Sequence, residues 1–448
     1  MTSATKRITD FIAGLRYEDL PESAIELAKH CLLDWLGVTI AGSREPLVSL
    51  LLDQAEEEGG NRVCSLVGQS HKCAPGWAAL INGAASHALD FDDVVSSMGG
   101  HPSVPVFPAL LASAEIRPTT GQQFISAFIA GFEAECRVGT LAAPGHYARG
   151  FHATGTVGTF GAAAACAHLH QFDSGKWQAA FGLAAAQAAG LKCMFGTMTK
   201  PFHAGKAAAN GLLAARLAGR GFSANGEALE AEQGFIATQA DGLNWEGVQA
   251  MGEDLGIAKV MFKYHAACYL THATIEAVSQ LQTEYQVADE DVAEIIVKVP
   301  PSHLRVCNIQ EPKTGLEAKF SLRFTTALAF CGRRTDDYAF TDLAASDPDL
   351  ISISNKVRVQ PVDFLPNNYS SNVEIVLVSG QKLHSSADVS RATPHHEMPA
   401  QWKKLSAKFV GLVEPVLGAD ATRALIDSVA SLETLDDMNS IISLAQAK

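Results

Sequence analysis

Three stretches, AAAACA (162–167), AAFGLAAAQAA (179–189) and AAANGLLAARLA (207–218), carry an alanine density that decides the fold class. Alanine is the strongest helix former and lets helix axes approach closely. A helix that is apolar on every side belongs at the centre of a domain, not at its surface. These stretches therefore predict the inner layer of a large helical domain. Working outward, Pro21 opens a segment that runs to Gly42 with Ala24, Leu27, Cys31 and Trp35 on one face. Proline in the first turn and glycine past the last are ordinary helix boundaries. Residues 78–87, 105–115 and 122–138 repeat the 3.6-residue apolar spacing. The character changes after about residue 281. Residues 293–299 (AEIIVKV), 356–359 and 373–378 alternate and are β-branched, as strands do. Ser379-Gly380 is a turn signal, with 381–385 as the returning arm. Residues 320–330 and 336–345 are expected to be helical between them, and 399–418 and 420–447 return to helix. The predicted layout is mainly α: a helical domain from residues 1–264 and 396–448, and a smaller α+β domain inserted at 265–395.

The 448 residues are enough for two or three domains, and 47% of them are hydrophobic, so the chain can build a sizeable core. The net charge of −14 argues against nucleic acid and against an anionic membrane surface as partners. It does not argue against a few focused cations in one site. Nine cysteines are irregularly spaced with no CxxC, which fits buried thiols in a reducing compartment better than a disulfide or zinc framework. No apolar run reaches the ~20 residues of a membrane helix, and no secretory signal is visible at the start. The expectation is a cytoplasmic protein.

Four clusters place polar groups inside apolar sequence. The first is HALDFDD (87–93) followed by GGHPS (99–103), with His87, Asp90, Asp92, Asp93 and His101. Its alternatives are an acid/base or ion site and a capped, solvated helix end. The second is HYARGFHATGT (146–156), where a helix start could hold a carboxylate, or where Thr154 or Thr156 simply caps the helix. Gly155, Gly158 and Gly161 suit close helix packing. They are not a dinucleotide fingerprint, because no strand precedes them. The third is Lys192 with GTMTKPFHAGK (196–206); a lysine between apolar helices becomes a usable base if burial lowers its pKa, or else is a surface lysine. The fourth is FKYHAAC (262–268) with Thr271 and His272, at the expected crevice between the domains. Cys268 has no basic activator in sequence and is not read as a nucleophile.

The HALDFDD…HPS, GFHATGTVGTFGAAAA, TKPFHAGKAAANGLLAARLA and FKYHAACYLTHATIEA segments, in that order, resemble the successive signatures of the MmgE/PrpD family over the whole chain. That family includes 2-methylcitrate dehydratases, cis-aconitate decarboxylases and an iminodisuccinate epimerase. The resemblance implies a large helical domain with an α+β lid, a homodimer, no cofactor and no metal. It places Asp90, His101, His152, Lys200 and Lys263 on the family's active-site positions. Two departures stand out: Val94 follows DFDD where a threonine is frequent, and Phe324 stands where a tyrosine is frequent. Each removes a hydroxyl.

In all these reactions charge builds on a carbon beside a carboxylate, so cations and donors must meet it and an acid or base must handle its proton. The expected catalytic set is Lys200, Tyr147 and His152. The expected substrate-binding set is Asp90, His101, Lys263, His265 and Arg323, acting on a small di- or tricarboxylate. The missing hydroxyls point to epimerisation of iminodisuccinate, with Tyr147 and Lys200 on opposite faces of the carbon. The alternatives are a 2-methylcitrate-type dehydratase and a cis-aconitate-type decarboxylase. Two further classes are a metal-dependent hydrolase built on His87, Asp90, Asp92 and His101, and a non-catalytic binding protein.

Overall fold

The computed structural model describes residues 3–252 and 254–447. The alanine-rich segments do form the centre. Helix Thr199–Gly219 packs against Pro75–Ala88 and Ala153–Leu169, and Ala153–Leu169 packs in turn on Gly121–Ala142. Small residues set these distances: a Cβ on Gly83 would lie 2.8 Å from the Cα of Gly205 on the facing helix. Gly155, Gly158 and Gly161 do serve packing, against Ala189, Pro105 and Glu135. The alanine stretch 179–189 departs from expectation. Its helix, Ser174–Ala185, stops before the run ends. There the backbone turns to pair across the chain: His152 N donates to Gly190 O at 3.0 Å and Lys192 N donates to Gly150 O at 2.8 Å. Tertiary hydrogen bonds outcompete alanine's helix preference at that point.

Helix Glu22–Gly42 is buried over most of its length and is covered by Met398–Leu417 from the far end of the chain. The α+β part holds a four-stranded sheet in the order Val357–Pro361, Val292–Val299, Ser370–Leu377, Lys382–Asp388. The first pair is parallel, with Ile295 opposite Val357. The other two are antiparallel, with Ile295 opposite Ile375 and Ile375 opposite Leu383. Helices Tyr269–Tyr285 and Leu322–Phe330 cover this sheet. Residues 336–345 form two short turns, Asp337–Ala339 and Asp342–Ala345, instead of one helix. Thr341 caps the second by accepting from Ala344 N, which ends the first. Among the described residues no helix is long and apolar enough to cross a membrane.

Candidate active site

Helix Pro75–Ala88 ends just before Asp90, and Asp90 sits at φ +50°. A left-handed conformation is uncommon outside glycine, and such strain concentrates at functional sites. It turns the chain so that Phe91–Asp93 run back into the core. Val94 then pairs with Met261 through two 2.9 Å backbone hydrogen bonds. That bridge brings Lys263, two residues further on, onto Asp90. Lys263 Nζ donates to Asp90 Oδ1 at 2.5 Å and to Asp90 O at 2.8 Å. Helix Thr199–Gly219 delivers Lys200, whose Nζ lies 3.0 Å from the same Oδ1 without an aligned hydrogen bond. His101 is positioned through its backbone N–H, which donates to Thr154 Oγ1 at 3.1 Å. Thr154 therefore orients the HPS loop; the Ala153–Leu169 helix has no side-chain cap.

Asp90, Lys200, Lys263 and Thr154 are buried, and His101 is half-buried. For Asp90, burial favours the neutral acid, but Lys200 and Lys263 together overcome it and hold the carboxyl well below the usual range. His87 Nδ1 lies 2.9 Å and His101 Nδ1 2.9 Å from Asp92 Oδ2. Burial pushes His87 down to about 3 and lowers His101, so both imidazoles are neutral near pH 7. With Nδ1–H donated to Asp92, the Nε2 of His87 is left as an acceptor, whereas His101 Nδ1 meets the same carboxylate without an aligned hydrogen bond. The Nε2 of His101 is 3.8 Å from Asp90 Oδ1. His152 is likewise driven well below its ordinary value by burial and then by Lys200. Its Nδ1 lies 3.1 Å from Nδ1 of His203. The histidines are thus donors and acceptors here, not the cations that anionic chemistry suggested. Tyr147 is pushed upward by burial, so it is a phenol and a proton donor.

Asp90, His101, Tyr147, His152 and Lys200 all line one cavity of about 620 Å³ between the helical part and the lid. Lys263 lies beneath it, behind Asp90. Val94, Phe195 and Phe320 form an apolar wall, with Lys200 Nζ 5.2 Å from the Phe320 ring centroid. Asp90 is the single carboxylate among the described lining residues, against Lys192, Lys200 and Arg305.

Two expected binding residues lie elsewhere. His265 Nδ1 pairs with Thr335 Oγ1 at 2.7 Å and Nε2 with Glu276 at 3.1 Å, so it braces the lid. Arg323 donates from Nε to Val357 O at 3.1 Å; it staples a helix to the sheet and does not line the cavity. Phe324 is buried against Phe340 within the lid and also lies off the cavity. Its missing hydroxyl therefore carries no argument about the reaction, whereas Val94 does line the wall.

Several contributors were not assigned a role in sequence. Asp92 orients two histidines, a task that spacing alone could not separate from helix capping. Lys319, pushed down to about 8 by burial, donates to the carbonyl of Leu89 beside Asp90. Lys408, from helix Met398–Leu417, bonds Asp34 at 2.7 Å and the carbonyls of Phe91 at 2.6 Å and Lys263 at 3.0 Å. One ammonium thereby clamps the two segments that carry Asp90 and Lys263. Nothing near Lys408 in sequence signals this, because its partners lie 145 to 374 residues away. Ligand atoms of His87, Asp90, Asp92 and His101 fall within 4.8 Å of one another. A metal ion there would have to displace two lysines from Asp90, so the fit is poor.

Residues 6–247 match the MmgE/PrpD N-terminal domain and residues 265–434 match the MmgE/PrpD C-terminal domain. The chain is 27% identical to the cis-aconitate decarboxylase of Homo sapiens, an alignment covering 99% of this chain and 95% of that one. It is 28% identical to the cis-aconitate decarboxylase of Aspergillus terreus, covering 99% and 96%. With both domains matched in order around a shared cavity, this chain belongs to the MmgE/PrpD family.

Proposed function

We propose that this chain is a lyase that removes CO₂ from a cis-aconitate-like tricarboxylate, its own side chains supplying the proton. The similarity to two cis-aconitate decarboxylases along nearly their full length supports this reading. The observation that carries it is the pairing of protonated donors with an apolar wall. Tyr147 enters as a phenol and Lys200 as the cation of an ion pair with Asp90, both on a cavity walled by Val94, Phe195 and Phe320. A carboxylate set against that wall is poorly solvated. Its C–C bond breaks and CO₂ leaves. The electron pair stays on carbon, conjugated with a remaining carboxylate that the lysines stabilise. A proton from Tyr147 or Lys200 then completes the product.

Epimerisation is less well supported. It needs one of the pair Tyr147 and Lys200 to begin as a base, and Phe324 no longer argues for it. Dehydration of a 2-methylcitrate-type substrate is the second reading, favoured by the His101 imidazole, which lines the cavity with Asp92 beside it. The nine free cysteines support a cytosolic setting. A homodimer is part of the proposal and is checked by sedimentation.

The test is proton NMR in D₂O with cis-aconitate, 2-methylcitrate and iminodisuccinate offered separately. Deuterated itaconate with CO₂ release is the expected result. Water loss from 2-methylcitrate alone would select the second reading. Scrambling of iminodisuccinate stereochemistry alone would overturn the lyase assignment.

A further inference from the structure

Lys192 and Arg305 face the same cavity from opposite sides of the domain gap. Lys192 opens the short turn Lys192–Met194 of the helical part, and its backbone is fixed by the bond to Gly150 O. Its Nζ donates to Tyr147 O at 3.2 Å and sits 3.7 Å from the centroid of the Tyr147 ring. Arg305 ends the turn Pro301–Arg305 that follows lid strand Val292–Val299. Among the described residues neither cation is ion-paired with a carboxylate; Lys192 is half-buried, where most other buried or half-buried lysines are paired, including Lys29, Lys200, Lys263 and Lys408, while Arg305 is exposed where it lines the cavity. In a chain with 48 acidic and 34 basic residues, two unpaired cations that share one cavity are not a product of mean charge. Burial and then the Arg305 guanidinium lower Lys192, so the two are close enough to repel. An anion between them would relieve that repulsion and join lid to helical part.

We propose that Lys192 and Arg305 form a second carboxylate subsite, distinct from the Asp90 cluster, which holds a distal carboxylate of the substrate and makes the enzyme selective for tricarboxylates over dicarboxylates. The proposal rests on the polycarboxylate reading of the cavity. Lys192 stacked on Tyr147 also places this subsite next to the proton donor. A distal carboxylate held there would bring the rest of the substrate across Tyr147 toward Lys200. A dicarboxylate can fill one end only.

Calorimetric titration with citrate, a tricarboxylate without the reacting double bond, and with succinate, a dicarboxylate, tests this without turnover. The proteins are the wild type, Lys192→Met, Arg305→Gln and the surface control Arg423→Gln, which makes the same charge change as Arg305→Gln. The wild type should bind citrate more tightly than succinate. Each subsite variant should weaken citrate about 10-fold or more while shifting succinate less than about twofold, and the control should shift neither. Equal weakening of both ligands, or no weakening of citrate, would overturn the subsite while leaving the wider reading in place. A wild type that binds neither ligand would overturn both. The split is also legible in turnover: KM for the tricarboxylate rises in Arg305→Gln with kcat little changed.

Discussion

Asp90 and Asp93 are three residues apart on one loop, and both are buried, yet they finish on opposite sides of neutrality. Asp90 faces the cavity, where Lys200 and Lys263 outweigh burial and keep it ionised. Asp93 faces away from it. Burial pushes it up to about 8; hydrogen bonds from Ser103 oppose that, while Asp34 and Asp92 add to it. Behind Asp93 stands Glu135, raised well above its ordinary value by burial and with neither carboxyl oxygen bonded. The two sides of the loop share desolvation and differ in cations. Burial sets the cost of a charge, and neighbours decide whether the charge survives.

The largest effect should come from striking the cationic side. Asp90→Asn suits the left-handed backbone but leaves Lys263 buried beside a neutral amide. Denaturant unfolding should show a loss of about 3–5 kcal/mol, and turnover should vanish. The matching change on the other side, Asp93→Asn, replaces a group that is already largely neutral at pH 7 and should cost within about 1 kcal/mol. Equal costs would break the comparison. Next in size, Tyr147→Phe should reduce kcat about 10²- to 10⁴-fold while citrate binding persists; unchanged kcat would remove the proton-donor role.

A smaller signal separates the two sides by pH. Asp93 titrates near 8 when folded and in the ordinary carboxylate range when unfolded, so between those values the folded chain holds a proton that the unfolded chain has released. Stability from this group therefore falls as pH rises toward about 8 and is level beyond it. His87 acts in the opposite sense: lowered to about 3, it makes stability rise with pH up to about 6.5. Between pH 6.5 and 8 the wild type should lose up to about 1.4 kcal/mol per pH unit relative to Asp93→Asn. Parallel curves would mean that Asp93 is ionised. The smallest effect on turnover should be that of Phe324→Tyr. The new hydroxyl costs stability by about 1–3 kcal/mol but leaves turnover per folded molecule within about twofold, since the position lies off the cavity. Val94→Thr, on the wall, should change kcat instead.

Much of this was legible in residues alone. The alanine stretches named the central helices because helix propensity and small size are local properties that survive into the fold. The strand pattern of 293–299 and the Ser379-Gly380 turn were legible for the same reason. Five polar positions of the site could be placed because each belongs to a long signature, not because their spacing implied convergence. His265 and Arg323 were misplaced because a polar residue beside a signature looks the same whether it faces a cavity or a neighbouring helix.

The sequence by itself determined the helix-rich class, the switch to an α+β lid and the stock of acids, bases and cations. Only the tertiary structure decided how burial and neighbours shift each carboxylate and histidine, and that Lys408 clamps the segments carrying Asp90 and Lys263. The reason is physical: helix and strand preferences depend on neighbours a few residues away, whereas charge state depends on desolvation and on partners such as Lys263 and Asp90, 173 residues apart along the chain.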